Sequence, residues 1–298
     1  MSSTTKSAPS LAGNRLSFQN YFNRWTWLML PALIFLAVFF VYPLIEILQL
    51  SITDPELGLG NFVKFYQSSV FSNVLINTLY MSFFVMLFCL LIGYPYAYLM
   101  NASSPRIAGL LLIAVLIPFW SSILVRTYAW TVILQKTGII NTILINIGLI
   151  ETPLKLFRNF QGVVIGMTHI LLPFMVLPIY AVMQRIDKDL VRAAESLGAS
   201  PARAFREVFL PLSLPGVYAG SLLVFVVALG YYITPALLGS PKQTMMGTMV
   251  VQQVQQIRDW GMGSTLGVVL LLVTLVVLGI IGRIVNINEV LGGGGDIE

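Results

Sequence analysis

Long apolar runs without Asp, Glu, Lys or Arg dominate the chain. A membrane-spanning helix needs roughly 20 mostly apolar residues to cross the bilayer. Six runs reach about that length: Trp25–Ile45, Phe65–Pro105 (spanning part Val70–Met100), Ile107–Val125, Asn159–Gln184, Val208–Pro241 and Trp260–Gly282. Barrel strands would alternate apolar and polar residues, so the pattern predicts six transmembrane helices and an all-α integral membrane protein. A shorter apolar run, Ile139–Ile150, is expected to form an interfacial or external helix.

The composition excludes most soluble classes of protein. Of the 298 residues, 57% are hydrophobic and 10% are charged, against about 25% charged residues in an ordinary soluble domain. A folded globule needs a polar surface, so these values exclude a cytosolic globular enzyme and a disordered protein. The formal net charge is +5. In so apolar a chain this basic excess indicates membrane topology and not nucleic-acid binding.

Basic residues predict the orientation of the chain. Three of them precede the first run: Lys6, Arg15 and Arg24. The next connection carries only Lys64, and loops rich in Lys and Arg stay in the cytoplasm. Residues 1–24 are therefore predicted to be cytoplasmic. Six crossings within the transmembrane domain 25–287 return the chain to the same side, where residues 288–298 are expected to form a flexible cytoplasmic tail.

Few side chains could support chemistry in such a protein. The chain has one cysteine, Cys89, and one histidine, His169. They cannot form an internal disulfide, and they are too few for a zinc site built from Cys and His, so we expect no metal. His169 is expected to be a hydrogen-bonded packing residue. The sequence contains no Gly-x-Ser-x-Gly or His-Glu-x-x-His motif, which argues against an intramembrane enzyme, and no Gly-Lys pair for a phosphate-binding loop.

Glycines four residues apart occur near the starts of three predicted helices: Gly162/Gly166, Gly216/Gly220 and Gly263/Gly267. Small residues at this spacing let two helix backbones approach closely in lipid. The pairs fit either helix packing within one subunit or a subunit interface, and the sequence leaves both interpretations open.

The segment between the fourth and fifth runs, residues 187–211, is the most informative stretch. Leu190–Leu197 is helix-prone, with apolar residues at spacings of three and four. Gly198 then stands where a left-handed residue ends a helix. Ser200 and Pro201 are typical of the start of the next helix. We predict a short helix, a sharp bend and a second helix, with an apolar face suited to a groove in another protein.

The same segment carries a spaced motif. Ala193-Ala194 is followed by three residues, Gly198, nine residues and then Val208-Phe209-Leu210-Pro211. This spacing resembles the Glu-Ala-Ala loop of permease subunits of bacterial ATP-binding-cassette (ABC) importers, although Arg192 stands where the family usually has Glu. The resemblance implies the six-helix fold of a type I ABC importer permease.

Four flanking stretches narrow the group: Leu124–Trp130, Gly138–Asn141, Thr234–Gly239 and Ile257–Trp260. They are similar to permeases of the spermidine/putrescine type. The resemblance implies the first of two paired permease subunits, with a polyamine as the most expected solute. Phosphonates, opines and iron are transported in the same group, so other small solutes stay open.

The resemblance also implies the partners of the chain. They are a second permease subunit, two copies of an ATP-binding subunit that carry ATP and Mg, and an external (periplasmic) solute-binding protein. This chain itself is expected to bind no cofactor and no nucleic acid and to have no enzymatic activity. It would lie in the bacterial inner membrane with both termini in the cytoplasm. A channel or a secondary transporter that needs no ATPase is the alternative.

The bent segment is predicted to couple the permease to the ATPase through nine residues: Arg192, Ala193, Ala194, Glu195, Leu197, Gly198, Phe205, Leu210 and Pro211. Gly198 would allow the bend, and the apolar side chains up to Phe205 would make the contact. Arg192 and Glu195 would set the polar register. Leu210 and Pro211 are expected to restart the chain into the fifth transmembrane helix.

The translocation path is weakly marked in the sequence. Aromatic faces could hold a polyamine by cation–π contact, and six residues are candidates: Tyr128, Trp130, Tyr180, Tyr231, Tyr232 and Trp260. The alternative is an interfacial belt of aromatic residues. Arg126 and Arg258 are expected to face the outer side.

Overall fold

The computed structural model describes residues 26–284, and every regular element within them is helical. The predicted segments 1–24 and 288–298 lie outside the described residues. The chain divides into two units, Met1–Glu46 and Ile47–Glu298. The helices are α1 (Thr26–Leu36), α2 (Tyr42–Thr53), α3 (Gly60–Gln67), α4 (Ser69–Ala102), α5 (Pro105–Leu116), α6 (Ile123–Ile133), α7 (Ile139–Asn146), α8 (Phe160–Met183), α9 (Lys188–Ser196), α10 (Pro201–Ala204), α11 (Leu210–Leu229), α12 (Ile233–Leu238), α13 (Met246–Val251) and α14 (Trp260–Ile284). Short π-helical stretches lie at Ala37–Val41, Phe205–Phe209 and Gln252–Ile257, and 3₁₀ turns at Ile117–Trp120 and Pro241–Gln243.

Five helical segments of the described chain are long and apolar enough to cross a membrane: Met29–Thr53, Ser69–Ala102, Phe160–Met183, Pro201–Leu229 and Trp260–Arg283. A bent pair of helices supplies a sixth candidate. The prediction of an all-α membrane fold is therefore confirmed. The second, fourth and sixth spans agree closely with the predicted ones, whereas the other three differ.

The first span runs further along the chain than its apolar run. It was predicted to end at Ile45, but the helix continues to Thr53. Glu46 is a single polar residue and does not interrupt backbone hydrogen bonding. The helix ends just before Pro55, because a residue that precedes proline disfavours the helical conformation.

The predicted third span, Ile107–Val125, is not one continuous helix. The run forms α5 and a 3₁₀ turn, and α6 then leaves at an angle of 99°. Pro118 lies in the turn, and Ser121 and Ser122 have extended backbones that end one helix and cap the next. The Ser121 hydroxyl donates to the Pro118 carbonyl oxygen over 2.9 Å. The break follows from proline and serine chemistry, which a count of apolar residues does not detect.

The fifth span also has different bounds from the predicted Val208–Pro241. It begins at Pro201 and ends at Leu229, and Gly230 caps it. After the non-helical Tyr232, the remaining apolar residues form the short separate helix α12. The end of a helix is set by local backbone conformation and not by hydropathy. The apolar run therefore extends past the end of the helix, for which Gly230 is the only signal in the sequence.

The core of the second unit is formed by α4, α8 and α11, which make the most extensive helix contacts in the described chain. Buried side chains of α8 such as Met167, Met175 and Ile179 fill the space between the other two helices. A Cβ atom built on Gly216 would lie 2.9 Å from the Ile179 Cα, and one on Gly220 would lie 3.0 Å from the Met175 carbonyl oxygen. The Gly216/Gly220 pair therefore packs helices within the subunit.

Two polar residues of α4 hold the connection between α12 and α13. The Asn77 side-chain amide donates to the carbonyl oxygens of Lys242 (3.1 Å) and Thr244 (2.9 Å). The Thr78 hydroxyl accepts from the Met246 backbone N–H over 2.8 Å. These bonds satisfy backbone groups in a non-helical connection, which lipid could not do.

We predict that Gly220→Leu destabilises the helix core. The new side chain would collide with the backbone of α8, and overpacking of this kind costs about 1–3 kcal/mol. Gly279→Leu in α14 is the matched control, because nothing lies within 4 Å of a Cβ at Gly279. Thermal unfolding of both purified variants in detergent measures the effect, and equal midpoints would contradict the packing described for α8 and α11.

Candidate coupling elbow and transport path

A closed helix end creates the bend that the sequence predicted. Helix α9 starts at Asp187, whose carboxylate accepts from the Asp189 backbone N–H over 2.9 Å. At its other end Gly198 has a φ of +94°, a region that L side chains rarely adopt. The Gly198 N–H donates to the Glu195 carbonyl (2.9 Å), and the Ala199 N–H donates to the Ala194 carbonyl (3.1 Å). This pair of bonds is a Schellman motif, which ends the helix and satisfies two of its terminal carbonyls.

The second arm of the elbow is the beginning of the fifth span. Ser200 caps a helix that has Pro201 in its first turn, as predicted. The helix then continues without interruption to Leu229. The expected restart at Leu210 and Pro211 is therefore wrong, since both residues lie inside this helix.

A π-helical stretch explains how the helix tolerates Pro211. The Leu210 N–H donates to the carbonyl of Phe205, five residues earlier, which widens the helix directly before the proline. Proline in a regular α-helix would clash with the carbonyl four residues earlier, and a wider turn relieves that clash. The same order occurs at Ala37–Val41, where the π-helical stretch ends two residues before Pro43.

The elbow presents several predicted coupling residues to its surroundings. The Leu197 side chain is 89% exposed, and Ala193 and Glu195 are exposed as well, whereas Ala194 is half-buried. The Arg192 side chain donates to the Asp189 carboxylate within the same helix over 3.1 Å. An exposed pair of this kind contributes little to stability and leaves Arg192 able to change partners.

Phe205 lies on the inner side of the elbow and away from Leu197. Its ring is 5.2 Å from Tyr98, 6.5 Å from Tyr94 and 5.7 Å from Phe209, as measured between ring centroids. Edge-on and stacked contacts at these distances are favourable. Phe205 therefore joins the elbow to the end of α4. A cavity of about 320 Å³ remains beside it, lined in part by Tyr98, Arg192 and Glu195.

The six aromatic path candidates do not come together in one place. Trp130 donates through Nε1 to His169 Nδ1 over 3.2 Å, so His169 is the hydrogen-bonded packing residue that was expected. The Tyr180 hydroxyl accepts from the Gln184 amide over 2.7 Å. Tyr128 and Trp260 are exposed by more than half.

Tyr232 lines a cavity of about 520 Å³ formed by α12, α13 and the π-helical stretch that follows. Thr248, Gln252 and Gln256 also line it, and Arg158 is the only charged residue among the lining residues. These amides and hydroxyls can donate and accept hydrogen bonds in a polar passage. These polar side chains were not predicted from the sequence, although the glutamines stand out as polar residues within an otherwise apolar stretch.

Arg126, which was expected to face the outer side, is half-buried in the first turn of α6, and its Nε atom is buried. The Tyr231 hydroxyl is buried too, and neither atom has a hydrogen-bond partner among the described residues. In residues 26–284 no group of three or more His, Cys, Asp or Glu side chains could hold a metal ion.

The chain matches a known family over nearly its whole length. The family described as "Binding-protein-dependent transport system inner membrane component" matches residues 10–287. The spermidine/putrescine transport system permease protein PotB of Haemophilus influenzae is 38% identical over 199 residues, which cover 67% of this chain and 70% of PotB. The inner membrane ABC transporter permease protein YdcU of Escherichia coli is 32% identical over 243 residues, or 77% of each chain.

A solved structure shares the fold. A chain of the bacterial alginate ABC transporter, crystallised in complex with an alginate pentasaccharide-bound periplasmic protein, aligns with a TM-score of 0.73 at 20% identity. The alignment covers 94% of this chain and 99% of the other. From the family match and these identities we conclude that the chain belongs to the inner membrane components of binding-protein-dependent transport systems, and that it is a multi-pass permease subunit of an ABC importer and not an enzyme.

Proposed function

We propose that this chain is the first permease subunit of an ATP-driven polyamine importer and forms half of the translocation path. The observation that carries the proposal is the Schellman-closed elbow, which occurs in a chain 38% identical to a spermidine/putrescine permease. The other subunits would be a second permease and two ATP-binding subunits. A periplasmic binding protein would deliver the solute, and the alginate transporter complex supports this arrangement for the fold.

The elbow is proposed to dock in a cleft of an ATP-binding subunit that carries ATP and Mg. Leu197 and Ala193 would supply the apolar contact, and Arg192 and Glu195 the polar register. Arg192 replaces the acidic residue usual in the family, so its counterpart in the cleft would be acidic. Because that surface lies outside the lipid, the elbow and both termini would be cytoplasmic.

Movement of the ATP-binding subunits would be transmitted to the transmembrane helices through two connections. The first is the helix from Pro201 to Leu229, which runs from the elbow into the core without a non-helical residue. The second is the contact of Phe205 with Tyr98, which links the elbow to α4. Rocking of these helices would alternate access to the path from the two sides.

The proposed path includes the cavity beside Tyr232. A polyamine ammonium could rest on the Tyr232 ring and donate to the Gln252 and Gln256 amide oxygens. None of the residues that line this cavity is acidic, and its one charged residue, Arg158, is basic. The site would therefore hold a polycation weakly, as a passage requires, and the external binding protein would supply most of the specificity.

We predict that Gly198→Val uncouples transport from ATP hydrolysis. Open space surrounds a Cβ at this position, so the effect would come from backbone strain of about 1–2 kcal/mol. Uptake into proteoliposomes that contain the complete complex should fall about tenfold, as expected for a shift of this size, while membrane insertion is unchanged.

Gly198→Asn is the matched control, because asparagine tolerates the left-handed region far better than valine does. The asparagine variant should retain most of the uptake. Normal coupling in the valine variant would contradict the role given to the elbow.

We predict that uptake of putrescine or spermidine by the reconstituted complex needs ATP and the loaded binding protein. A phosphonate and an opine, tested at the same concentration, should not be taken up, because the external binding protein is proposed to select polyamines. Uptake that follows a proton gradient in the absence of ATP would favour a secondary transporter. Passive uptake would favour a channel, and either result would overturn the proposal.

A further inference from the structure

Helix α6 has an exposed face that carries no charged residue. Five exposed residues recur at the spacing of one side of a helix: Leu124, Val125, Tyr128, Ala129 and Val132. Val125, Tyr128 and Val132 are each more than half exposed. Four of the five side chains are aliphatic, so the Tyr128 hydroxyl is the one polar side-chain group on this face.

The opposite face of α6 carries polar residues and is turned toward the protein. Thr127 is buried, and its hydroxyl lies 3.4 Å from that of Thr234 in α12. Arg126 is half-buried beside it. A surface helix in water turns its apolar side inward and its polar side outward. The reverse arrangement in α6 is typical of a helix whose outer face contacts lipid, where polar side chains turn to the interior.

The path of the chain places α6 at the edge of the bilayer. Helices α4 and α8 both end beside the elbow, since Tyr98 of α4 contacts Phe205 and α8 leads into α9. The chain between them must therefore cross to the other side, and α5 carries it there. Helix α5 has 12 residues and the 3₁₀ turn after it has 4. Together they rise about 26 Å, against about 30 Å for the hydrocarbon core.

The bend after Trp120 sets the direction of α6. The angle to α5 is 99°, and membrane helices stand on average about 20° from the membrane normal, so α6 runs close to the membrane plane. Its exposed face follows that of α5, where Ile107, Leu110, Ile113 and Ile117 are each more than half exposed. Trp120 at the bend is exposed as well, and tryptophan is enriched at the level of the lipid headgroups.

We propose that the exposed face of α6 docks on the lipid of the outer leaflet, where acyl chains meet headgroups. Val125 and Val132 would contact acyl chains, and the Tyr128 hydroxyl would reach headgroups or water. Lipid is favoured over a protein partner because this face offers one hydroxyl, whereas protein interfaces form about one hydrogen bond per 100–200 Å². The choice of leaflet rests on the proposed function, which places the elbow in the cytoplasm.

The lipid contact would also support one wall of the proposed path. Helix α6 packs against α12. Residues of α12 line the cavity beside Tyr232, and so does Leu124 at the edge of the exposed face of α6. A lipid-bound α6 would therefore hold α12 against the membrane while the elbow moves. In this arrangement Tyr128 belongs to an interfacial belt of aromatic residues and not to the path.

Quenchers carried by lipid test the contact in the complete complex. A fluorescent maleimide is attached to Val125→Cys, to Val132→Cys or to the control Glu151→Cys, an exposed polar position before α8. The buried Cys89 is protected from the reagent. In nanodiscs, a nitroxide near the headgroup end of the acyl chain should quench both valine variants several times more strongly than a nitroxide at the chain terminus. The control should be quenched weakly by both.

Iodide in the aqueous phase gives the complementary measurement. It should quench the Glu151→Cys label strongly and the two labels on α6 weakly. Strong quenching of the α6 labels by iodide would place this face in water. Protection of the α6 labels from iodide and from both nitroxides would mean that a protein chain covers the face. Either result would overturn the proposal.

A charge on the same face is expected to displace the helix. Val132→Asp should reduce the nitroxide quenching of a label on Val125→Cys, because a carboxylate is unfavourable among acyl chains. Val132→Trp is the matched control and should preserve the quenching, since tryptophan is favoured at this level. Equal quenching in the two variants would contradict the lipid contact.

Vesicles in which the ATP-binding subunits face the interior identify the leaflet. Ascorbate added outside reduces the nitroxides of the outer leaflet alone and should abolish the quenching of the α6 labels. Quenching that persists would overturn the outer-leaflet assignment. Absence of ATP-dependent polyamine uptake would refute the proposed solute, whereas the quenching measurements do not depend on the solute.

Discussion

The left-handed backbone of Gly198 is the constraint on which the coupling mechanism depends. Two hydrogen bonds close the end of α9 around it, so the chain leaves the helix in a defined conformation. A flexible connection could not transmit a displacement, because its conformational freedom would absorb it. The Schellman motif makes the connection an ordered elbow. A docking partner could therefore displace it as a rigid unit.

The helices that follow the elbow connect it rigidly to the transmembrane core. The arm after Gly198 is continuous with the fifth span, and the widened turn at Phe205–Phe209 lets the helix pass Pro211 without a break. Inside the bilayer, Gly216 and Gly220 bring α11 into backbone contact with α8. A movement at the elbow is thereby applied directly to the packed core, where α4 and α8 also meet.

The sequence predicted what depends on composition and on strong local preferences. Apolar runs located five spans and the bent pair of helices that is the sixth candidate, since lipid accepts little else at that length. Gly198, Ser200 and Pro201 located the bend, because each residue type has one dominant role at a helix end. The length of the apolar run did not show the break after Trp120, where the Ser121 hydroxyl donates to the Pro118 carbonyl oxygen.

The positions of side chains relative to distant helices could not be predicted from local sequence patterns. Phe205 seemed suited to an external contact, but its ring packs against Tyr98 of a helix about a hundred residues earlier. Arg126 was expected to face the outer side, and the structure shows it half-buried in the first turn of α6, with its Nε atom buried. The six aromatic candidates are scattered for the same reason, because their spacing along the chain does not determine which helices become neighbours.

Site-directed cross-linking from Leu197 tests the coupling role of the elbow most directly. Cys89, the one cysteine of the chain, is buried, so Leu197→Cys adds an accessible thiol that can carry a photoactivatable maleimide. Leu57→Cys, at an equally exposed position between α2 and α3, serves as the control. The account predicts that illumination joins Leu197→Cys, and not Leu57→Cys, to the ATP-binding subunit, and that an impermeant thiol reagent reaches Leu197→Cys only from the cytoplasmic side. Labelling of Leu197→Cys from the periplasmic side, or an active complex without this cross-link, would contradict it.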